Sequence, residues 1–415
     1  MWPWLSLFTA TKSSRVGLRN MGNTCFLNAV LQALASSSGI VELLEAQEGP
    51  LSSELLAICK AVRGEGDEGT PSPKKIVKEL SKHERWIALG GQEDADEALT
   101  LILSILDMER EAWLHTQGFG VQEEELLQPY MYLHTQPGIL VGGDTSTKKR
   151  EKKKKMREVK SPFEITMSTH KRCKKCRQSS DRLVTSAPKL ALSIVDLDNP
   201  SRAYSTLSQC LDAYFTQEEL QDVFCDHCTA AVVRATYEQG GRDRHSPELI
   251  NLGVTGGTDS YLHEEYYESP QFKALLERSG ICRVAGPASR TVHLLSMPTT
   301  LLLKPLRETF DPLSGTTRKL THALSSPDEL GFEKRNGRYC VSKSPTVTYR
   351  LAAVVKHLSA KGNANQGHYV CMVRGTESEG WLAISDQQVW KVPGVSCNGD
   401  TVLLLYNKMV EERSQ

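Results

Sequence analysis

The sequence has no apolar run long enough to cross a membrane, because a spanning helix needs about 20 consecutive apolar residues. Its first ten residues are mostly apolar, but Pro3 interrupts them, and Lys12 and Arg15 follow soon after. They also lack the basic segment with which a secretory signal peptide begins. We therefore expect neither a transmembrane helix nor a signal peptide.

Net charge is absent as well, since 50 basic residues balance 50 acidic ones. A neutral chain has no overall field of one sign to attract nucleic acid or a membrane surface, so we expect no nucleic-acid partner. No internal repeat is evident. The eleven cysteines are an odd number without a signal peptide, which favours a reducing compartment such as the cytoplasm, with free or metal-bound thiols.

The clearest pattern surrounds Cys25. Apolar residues with helical spacing follow it, namely Leu27, Val30, Leu31 and Leu34. Gly22 to Thr24 supply turn and capping residues just before it, so the pattern predicts a helix that starts at Cys25. A helix N-terminus lowers the pKa of a thiol and favours the nucleophilic thiolate. The alternative is a small buried cysteine at a helix start.

A second helix is predicted from Gln92 to Leu106, with an apolar stripe on one face. Asp94 and Glu97 are three residues apart and therefore neighbours at the edge of that stripe. Taken alone, two acids near a helix start can simply complement the helix dipole.

Two C-x2-C pairs, Cys173/Cys176 and Cys225/Cys228, are separated by 48 residues. Four thiolates in this spacing are typical of a closed tetrahedral zinc site, with the pairs on separate hairpins that meet in space. We expect one structural zinc ion and no catalytic cofactor. The alternative is four unliganded cysteines at the tips of two hairpins.

Two segments have the composition of insertions. Nine of the thirteen residues from 148 to 160 are Lys or Arg, which indicates a solvated segment, a nuclear import signal or a contact for an acidic surface. Residues 240–287 are rich in Gly, Ser and charge. After residue 290, short apolar runs separated by turns predict an antiparallel meander, with His368 at the start of one strand and Ser385 at the end of another.

A histidine beside a turn is more often a surface residue than a base, and His368 can activate Cys25 only if the fold brings them together. However, Gly17 to Leu34 contains the pattern G-L-x-N-x-G-N-T-C-x-x-N-x-x-L-Q, and residues 366–370 read Q-G-H-Y-V. These two segments resemble the cysteine and histidine boxes of the ubiquitin-specific proteases, in the same order along the chain.

The resemblance implies that Cys25 is the nucleophile, His368 its base, and Asn20 a donor to the oxyanion beside the backbone N–H of Cys25. Most of the family carries Asp or Asn at the third position, where this chain has Ser385. We expect Ser385 to accept a hydrogen bond from Nδ1 of His368, with Nε2 facing Cys25. Alternation along an extended strand disfavours Asp386 for that role. Asp386 remains the alternative and a candidate to support the oxyanion side.

Residues 92–97 resemble the Q-x-D-x-x-E segment of the family, in which acids hold the arginines of the ubiquitin tail. The resemblance therefore implies substrate binding by Gln92, Asp94 and Glu97, and a narrow channel for glycine lined by Gly367 and Tyr369. There are two departures from the family pattern. Ala98 stands where a bulky apolar residue is common, and the segment 303–307 reads L-K-P-L-R in place of H-L-K-R-F.

The implied fold class is α+β: a papain-like cysteine protease with thumb, palm and zinc-bearing β-fingers. Its expected divisions are an N-terminal tail 1–15, a catalytic domain 16–408 and a C-terminal tail 409–415. Within the domain we expect a thumb at about 16–134, a basic insertion at about 141–160, fingers at about 163–235, an insertion at about 240–290 and a palm at about 291–408.

The implied activity is hydrolysis of the isopeptide bond after the terminal glycine of ubiquitin, on substrate lysines or in polyubiquitin chains. Ubiquitin and ubiquitinated proteins are the expected partners. A silent ubiquitin-binding scaffold and a protease for a ubiquitin-like modifier are the alternatives. Residues 106–110, 225–229 and 381–386 are most similar to the mitochondrial outer-membrane branch of the family. Membrane association is thus expected by analogy only, beside a cytoplasmic or nuclear location.

Overall fold

The computed structural model describes residues 13–65, 69–84, 87, 93–116, 160–179, 183–196, 199, 202–239, 270–311, 315–359 and 367–409. Their contacts divide them into two units. The first falls within Met1–Thr166, Ser186–Tyr214 and Ser296–Gln415, and the second within Met167–Thr185 and Phe215–Leu295. Across these described ranges, every helix is too short or too polar to span a bilayer.

The helices are α1 Cys25–Leu34, α2 Ile40–Ala46, α3 Pro50–Val62, α4 Lys74–Leu80, α5 Ala95–Thr116, α6 Leu207–Phe215, α7 Asp226–Gln239 and α8 Pro270–Ser279. The strands are β1 Ile165–Cys173, β2 Leu183–Ala187, β3 Leu190–Ser193, β4 Glu218–Phe224, β5 Ala285–Ser296, β6 Thr300–Leu306, β7 Glu308–Asp311, β8 Thr316–Lys319, β9 Glu329–Arg335, β10 Arg338–Val341, β11 Val347–Ser359, β12 Gly367–Arg374, β13 Trp381–Ser385, β14 Gln388–Val392 and β15 Thr401–Lys408. This mixture confirms the predicted α+β class.

The first unit is built around α1, all ten residues of which are buried. A helix that is buried on every side needs polar partners for its polar side chains. The amide nitrogen of Gln32 meets this need, because Nε2 donates to the carbonyl oxygen of Val16 at 2.8 Å. Apolar side chains of α1, α3 and α5 pack with those of β11, β12 and β15 in one core.

The sheet of the first unit contains the predicted meander. Strands β11, β12, β13 and β14 are consecutive antiparallel neighbours. The last strand, β15, is not at an edge, because it pairs with both β11 and β6. β6 also pairs with β3 in parallel, which a meander alone would not have predicted.

In the second unit, β4 pairs with β5 in antiparallel fashion, and β5, β1 and β2 are successive neighbours. α7 directly follows β4. The helix predicted at Gln92 to Leu106 begins at Ala95 and runs on to Thr116. Gln92 lies outside the described residues, as do 148–159 of the basic run and 240–269 of the second insertion.

Candidate active site

Cys25 is the first residue of α1, as the sequence predicts. Gly22 in the preceding turn has φ of +116°, which favours glycine. The expected side-chain cap is not formed, since Thr24 makes no capping bond. Instead, Oγ1 of Thr24 accepts from the N–H of Met21 at 3.0 Å, and Oδ1 of Asn20 accepts from the N–H groups of Gly22 and Thr24 at 3.0 and 3.3 Å. Asn20 therefore holds the turn.

Cys25 is buried, with only 5% of the residue exposed. Burial raises its pKa above the ordinary value, and the backbone N–H groups of Tyr369 and Phe26 oppose that shift only in part. The negative charge of Asp386 raises the pKa further. The predicted lowering by the helix N-terminus is thus outweighed, because desolvation penalises the thiolate more than these donors stabilise it. The sulfur needs a base before it can attack.

His368 is the second residue of β12, and Ser385 is the last of β13. The Nε2 atom of His368 lies 2.7 Å from Oγ of Ser385. The predicted pair is therefore formed, but through the other ring nitrogen than expected. With Nε2 engaged, Nδ1 is the nitrogen left for proton exchange. The assignment of Nδ1 to Ser385 was wrong because sequence cannot give the orientation of a ring.

Asp386 lies beyond the end of β13, in the two-residue turn to β14, with φ of +50°. Its Oδ2 atom is 3.8 Å from Nε2 of His368. Alternation of side chains applies only within a strand, so the argument that only one of Ser385 and Asp386 can reach the histidine was wrong. Both approach the same nitrogen.

The carboxylate of Asp386 also accepts two short hydrogen bonds. Nδ2 of Asn20 donates to Oδ2 at 2.8 Å, and Nδ2 of Asn28 donates to Oδ1 at 2.7 Å. The carbonyl oxygen of Asp386 accepts from the N–H of Leu18 at 2.8 Å. A Cβ at Gly17 would lie 2.4 Å from that carbonyl oxygen, so only glycine permits the approach. Asn28, the N of the C-x-x-N pattern, was missed as a site residue.

Asp94 caps α5. Its Oδ1 atom accepts from the N–H groups of Asp96 and Glu97 at 2.5 and 3.4 Å. Glu97 is exposed. Partial desolvation and then the charge of Asp94 raise its pKa, and the positive charge of Lys304 opposes them. The two predicted acids are therefore together at the start of α5, with one of them engaged in capping.

Gly367 and Tyr369 lie beside a histidine that the sequence did not single out. The ring of His357 stacks on that of Tyr369, with centroids 4.4 Å apart and planes at 17°. A Cβ at Gly367 would lie 2.4 Å from Nε2 of His357, so packing requires glycine there. Burial, then the charge of Lys319, lowers the pKa of His357 to about 4. Its ring is neutral near pH 7.

The second unit brings together the four predicted metal ligands, Cys173, Cys176, Cys225 and Cys228, with all sulfurs within 4.8 Å of one another. The Sγ atoms of Cys173 and Cys228 are 3.7 Å apart, and those of Cys176 and Cys225 are 3.6 Å apart. Tetrahedral zinc with Zn–S bonds of about 2.3 Å separates its sulfurs by about 3.8 Å, so the cluster fits the ion. The second pair lies at the junction of β4 and α7, which corrects the prediction of a second hairpin.

The profile of the family described as "Ubiquitin carboxyl-terminal hydrolase" matches residues 16–406. The chain belongs to this family. It is accordingly a thiol-dependent deubiquitinase, a cysteine protease that acts on ubiquitin conjugates.

Relatives of this hydrolase align along nearly its whole length. Ubiquitin carboxyl-terminal hydrolase 30 of Rattus norvegicus is 29% identical over 463 aligned positions, covering 96% of this chain and 85% of the rat protein. Its namesake in Xenopus tropicalis is 24% identical, covering 95% and 81%. Ubiquitin carboxyl-terminal hydrolase 27 of Arabidopsis thaliana is 24% identical, covering 95% and 85%.

Solved structures share the fold of this hydrolase at low identity. The SAGA DUB module of Ubp8, Sgf11, Sus1 and Sgf73 bound to monoubiquitin has a chain 19% identical to it, with a TM-score of 0.59 over 98% of this chain and 73% of that one. The same module bound to ubiquitin aldehyde gives a TM-score of 0.58 at 18% identity, covering 98% and 73%.

Proposed function

We propose that this hydrolase cleaves the isopeptide bond after the C-terminal glycine of ubiquitin, on substrate lysines or within polyubiquitin chains. The observation that carries the proposal is the convergence of a helix-start cysteine, a paired histidine and an amide-binding carboxylate within the first unit. We assign Cys25 as the nucleophile, His368 as the base and Asn20 as the oxyanion donor. Ser385 and Asp386 support them.

In the first step, Nδ1 of His368 takes the proton of the Cys25 thiol while the sulfur attacks the carbonyl carbon. Ser385 and Asp386 hold Nε2–H, which leaves the lone pair on Nδ1. The hydroxyl of Ser385 brings no charge, so the nearby carboxylate of Asp386 supplies the negative charge that stabilises the imidazolium. Burial of Cys25 supports a thiol that loses its proton as the attack proceeds.

The oxyanion of the tetrahedral intermediate is held by Asn20 and the backbone N–H of Cys25. One N–H of the Asn20 amide donates to Asp386 and the carbonyl side accepts from the turn, so the second N–H has a fixed direction. Fixed donors need no reorganisation during the reaction, which makes them effective.

The intermediate then collapses with cleavage of the C–N bond. His368 gives its proton to the departing lysine amine, and the ubiquitin carbonyl stays on sulfur as a thioester. Water, losing a proton to His368, attacks the thioester, and ubiquitin leaves as the free acid while Cys25 recovers its proton.

Asp94 and Glu97 bind the arginines of the ubiquitin tail, and Gln92 is assigned to the same contact by resemblance. Capping of α5 through Oδ1 leaves Oδ2 of Asp94 for an arginine. Gly367 and Tyr369, packed against the neutral His357, line the route of the terminal glycines, where a side chain at Gly367 would have no room.

The four-cysteine cluster would hold one structural zinc ion, and its four thiolates would fill the tetrahedral positions so that none is left open for substrate. Bound there, zinc would link the end of β1 to the junction of β4 and α7 through the four thiolates. These cysteines are free thiols and form no disulfide that could make the same link. We assign the thumb and palm to the first unit and the fingers to the second. A reducing compartment such as the cytoplasm suits the free thiols. The resemblance to the mitochondrial branch makes the mitochondrial outer membrane an alternative location, and the basic run makes the nucleus another.

The proposal is tested with ubiquitin that carries a C-terminal electrophile. Wild type should form a covalent adduct, and Cys25→Ala should bind ubiquitin without forming one. Cys282→Ser is the matched control, because Cys282 is exposed and lies outside the site. Labelling that persists in Cys25→Ala would move the nucleophile elsewhere. Binding without any adduct by wild type would favour the scaffold, and preference for a probe made from another ubiquitin-like modifier would favour that substrate.

A further inference from the structure

A third acid, Asp96, lies between Asp94 and Glu97 in the first turn of α5, and its side chain is only 15% exposed. Both of its oxygens are paired. Oδ2 lies 2.5 Å from Nζ of Lys304, and Oδ1 accepts from Nζ of Lys189. Nζ of Lys189 also donates to Oγ1 of Thr100 at 2.7 Å. Asp96 is thus held between two lysines.

The two lysines come from neighbouring strands. Lys304 is in β6, Lys189 directly precedes β3, and these strands pair in parallel, with Ala191 opposite Lys304. The side chains of Lys189 and Lys304 are 16% and 27% exposed. Because the three groups are mostly shielded from water, their attraction is screened less than that of surface pairs. The cluster therefore fixes the start of α5 on the sheet.

Lys304 also acts on Glu97. Its positive charge opposes the rise in the pKa of Glu97, which means that the two side chains are within electrostatic range. Glu97 is exposed, whereas Asp96 is half-buried and in direct contact with Lys304. As long as Asp96 is a carboxylate, Lys304 is engaged by it. Lys304 lies in the segment 303–307 that departs from the H-L-K-R-F pattern.

We propose that Asp96 is a positioning residue for substrate specificity: by engaging Lys304 and Lys189, it leaves Glu97 and Asp94 to bind the arginines of the ubiquitin tail. The inference rests on the proposed role of Asp94 and Glu97. Without the carboxylate of Asp96, Lys304 turns to Glu97 and competes with the substrate arginine. Lys189 remains held by Thr100.

The test is steady-state kinetics on ubiquitin with a fluorogenic amide at its terminal glycine. Asp96→Asn should raise KM about tenfold, the scale of one charge-assisted bond, with kcat within about twofold of wild type. Asp96→Asn combined with Lys304→Gln should return KM to within about threefold of wild type. A purely structural role for Asp96 would not be rescued by removing a second charged group. Asp107→Asn, which changes an acid of the same helix whose side chain is half exposed, is the matched control and should change neither constant.

Further kinetic measurements distinguish an error in the proposed tail site from an error in the role of Asp96. On ubiquitin whose tail arginines are replaced by alanine, Asp96→Asn should have no effect on KM. Because Asp96 already engages Lys304 in the wild type, Lys304→Gln alone should leave KM within about twofold of wild type, and a larger rise would overturn the inference even if Asp96→Asn does not fold. If Glu97→Gln leaves KM unchanged, the proposed tail site itself is wrong. If Glu97→Gln raises KM but Asp96→Asn does not, or the double variant is not rescued, only the role of Asp96 is wrong.

Discussion

Asp386→Asn is the most informative single change in the catalytic site. The carboxylate of Asp386 accepts from Asn20 at 2.8 Å and from Asn28 at 2.7 Å. It also lies 3.8 Å from Nε2 of His368. An amide of the same shape turns one accepting oxygen into a donor, so one of the two asparagines must lose its partner. The negative charge beside the imidazole disappears in the same change.

The expected loss can be worked from these contacts. One lost hydrogen bond to a charged group contributes roughly 1.5 to 3 kcal/mol. Coulomb's law with an effective dielectric constant of about 20 gives roughly 4 kcal/mol at the 3.8 Å separation of His368 and Asp386. Since both groups keep partial contact with water, we count about 1 kcal/mol of that. The sum of roughly 2.5 to 4 kcal/mol predicts a fall in kcat of about 100- to 1,000-fold.

The assay is single-turnover and steady-state cleavage of the fluorogenic ubiquitin amide, with thermal unfolding measured in parallel. Ser385→Ala removes one neutral partner of His368 and should lower kcat by about ten- to a hundredfold, whereas Ser385→Asp should remain active. Asp328→Asn, an exposed acid paired with Arg374, is the control and should behave as wild type. If Asp386→Asn keeps more than about a tenth of wild-type kcat, the carboxylate does not support the oxyanion donor. Near-normal turnover of Ser385→Ala beside a severe loss in Asp386→Asn would make Asp386 the residue that orients the histidine.

Three other changes test separate parts of the molecule. Cys173→Ser should lose the single zinc equivalent in metal analysis and lower the unfolding temperature; a wild type that is metal-free and equally stable would contradict this. Gly367→Ala places a Cβ 2.4 Å from Nε2 of His357 and should lower kcat/KM for the ubiquitin amide by at least tenfold, whereas unchanged kinetics would show that β12 can shift without consequence. His357 has a folded-state pKa of about 4 against about 6.5 when unfolded, so the unfolded state binds more protons between those values and the free energy of unfolding should fall as pH drops from about 6.5 to 4. Urea titrations across that range should show the slope, and His357→Phe should flatten it; an equal slope in the variant would assign the effect to other groups.

Local patterns in the sequence predicted much of the fold and of the active site. The apolar spacing after Cys25 predicts α1, the C-x2-C pairs predict the cysteine cluster, and the apolar runs near the C-terminus predict the antiparallel meander. Each of these depends on residues within one element or on a family pattern. These elements can therefore be predicted without knowledge of the tertiary contacts.

Contacts between distant segments could not be predicted from the sequence. The position of Asp386 depends on where β13 ends, and a shift of one residue in that boundary reverses the alternation argument. The partners of Asp96 come from β3 and β6, so no local pattern points to them. The pKa of Cys25 depends on burial by the whole core, which outweighs the local effect of the helix N-terminus.

The pairing of Asn20 with Asp386 joins residues 366 positions apart, and β15, close to the C-terminus, occupies the interior of the sheet between β11 and β6. Closing such long loops costs conformational entropy before the contacts can compensate, so this type of topology folds slowly. During synthesis, the cysteine helix emerges early, but Asn20 lacks its carboxylate partner Asp386 until almost the entire domain has been translated. Catalytic competence should therefore appear only at the last stage of folding, after β15 has taken its place between β11 and β6.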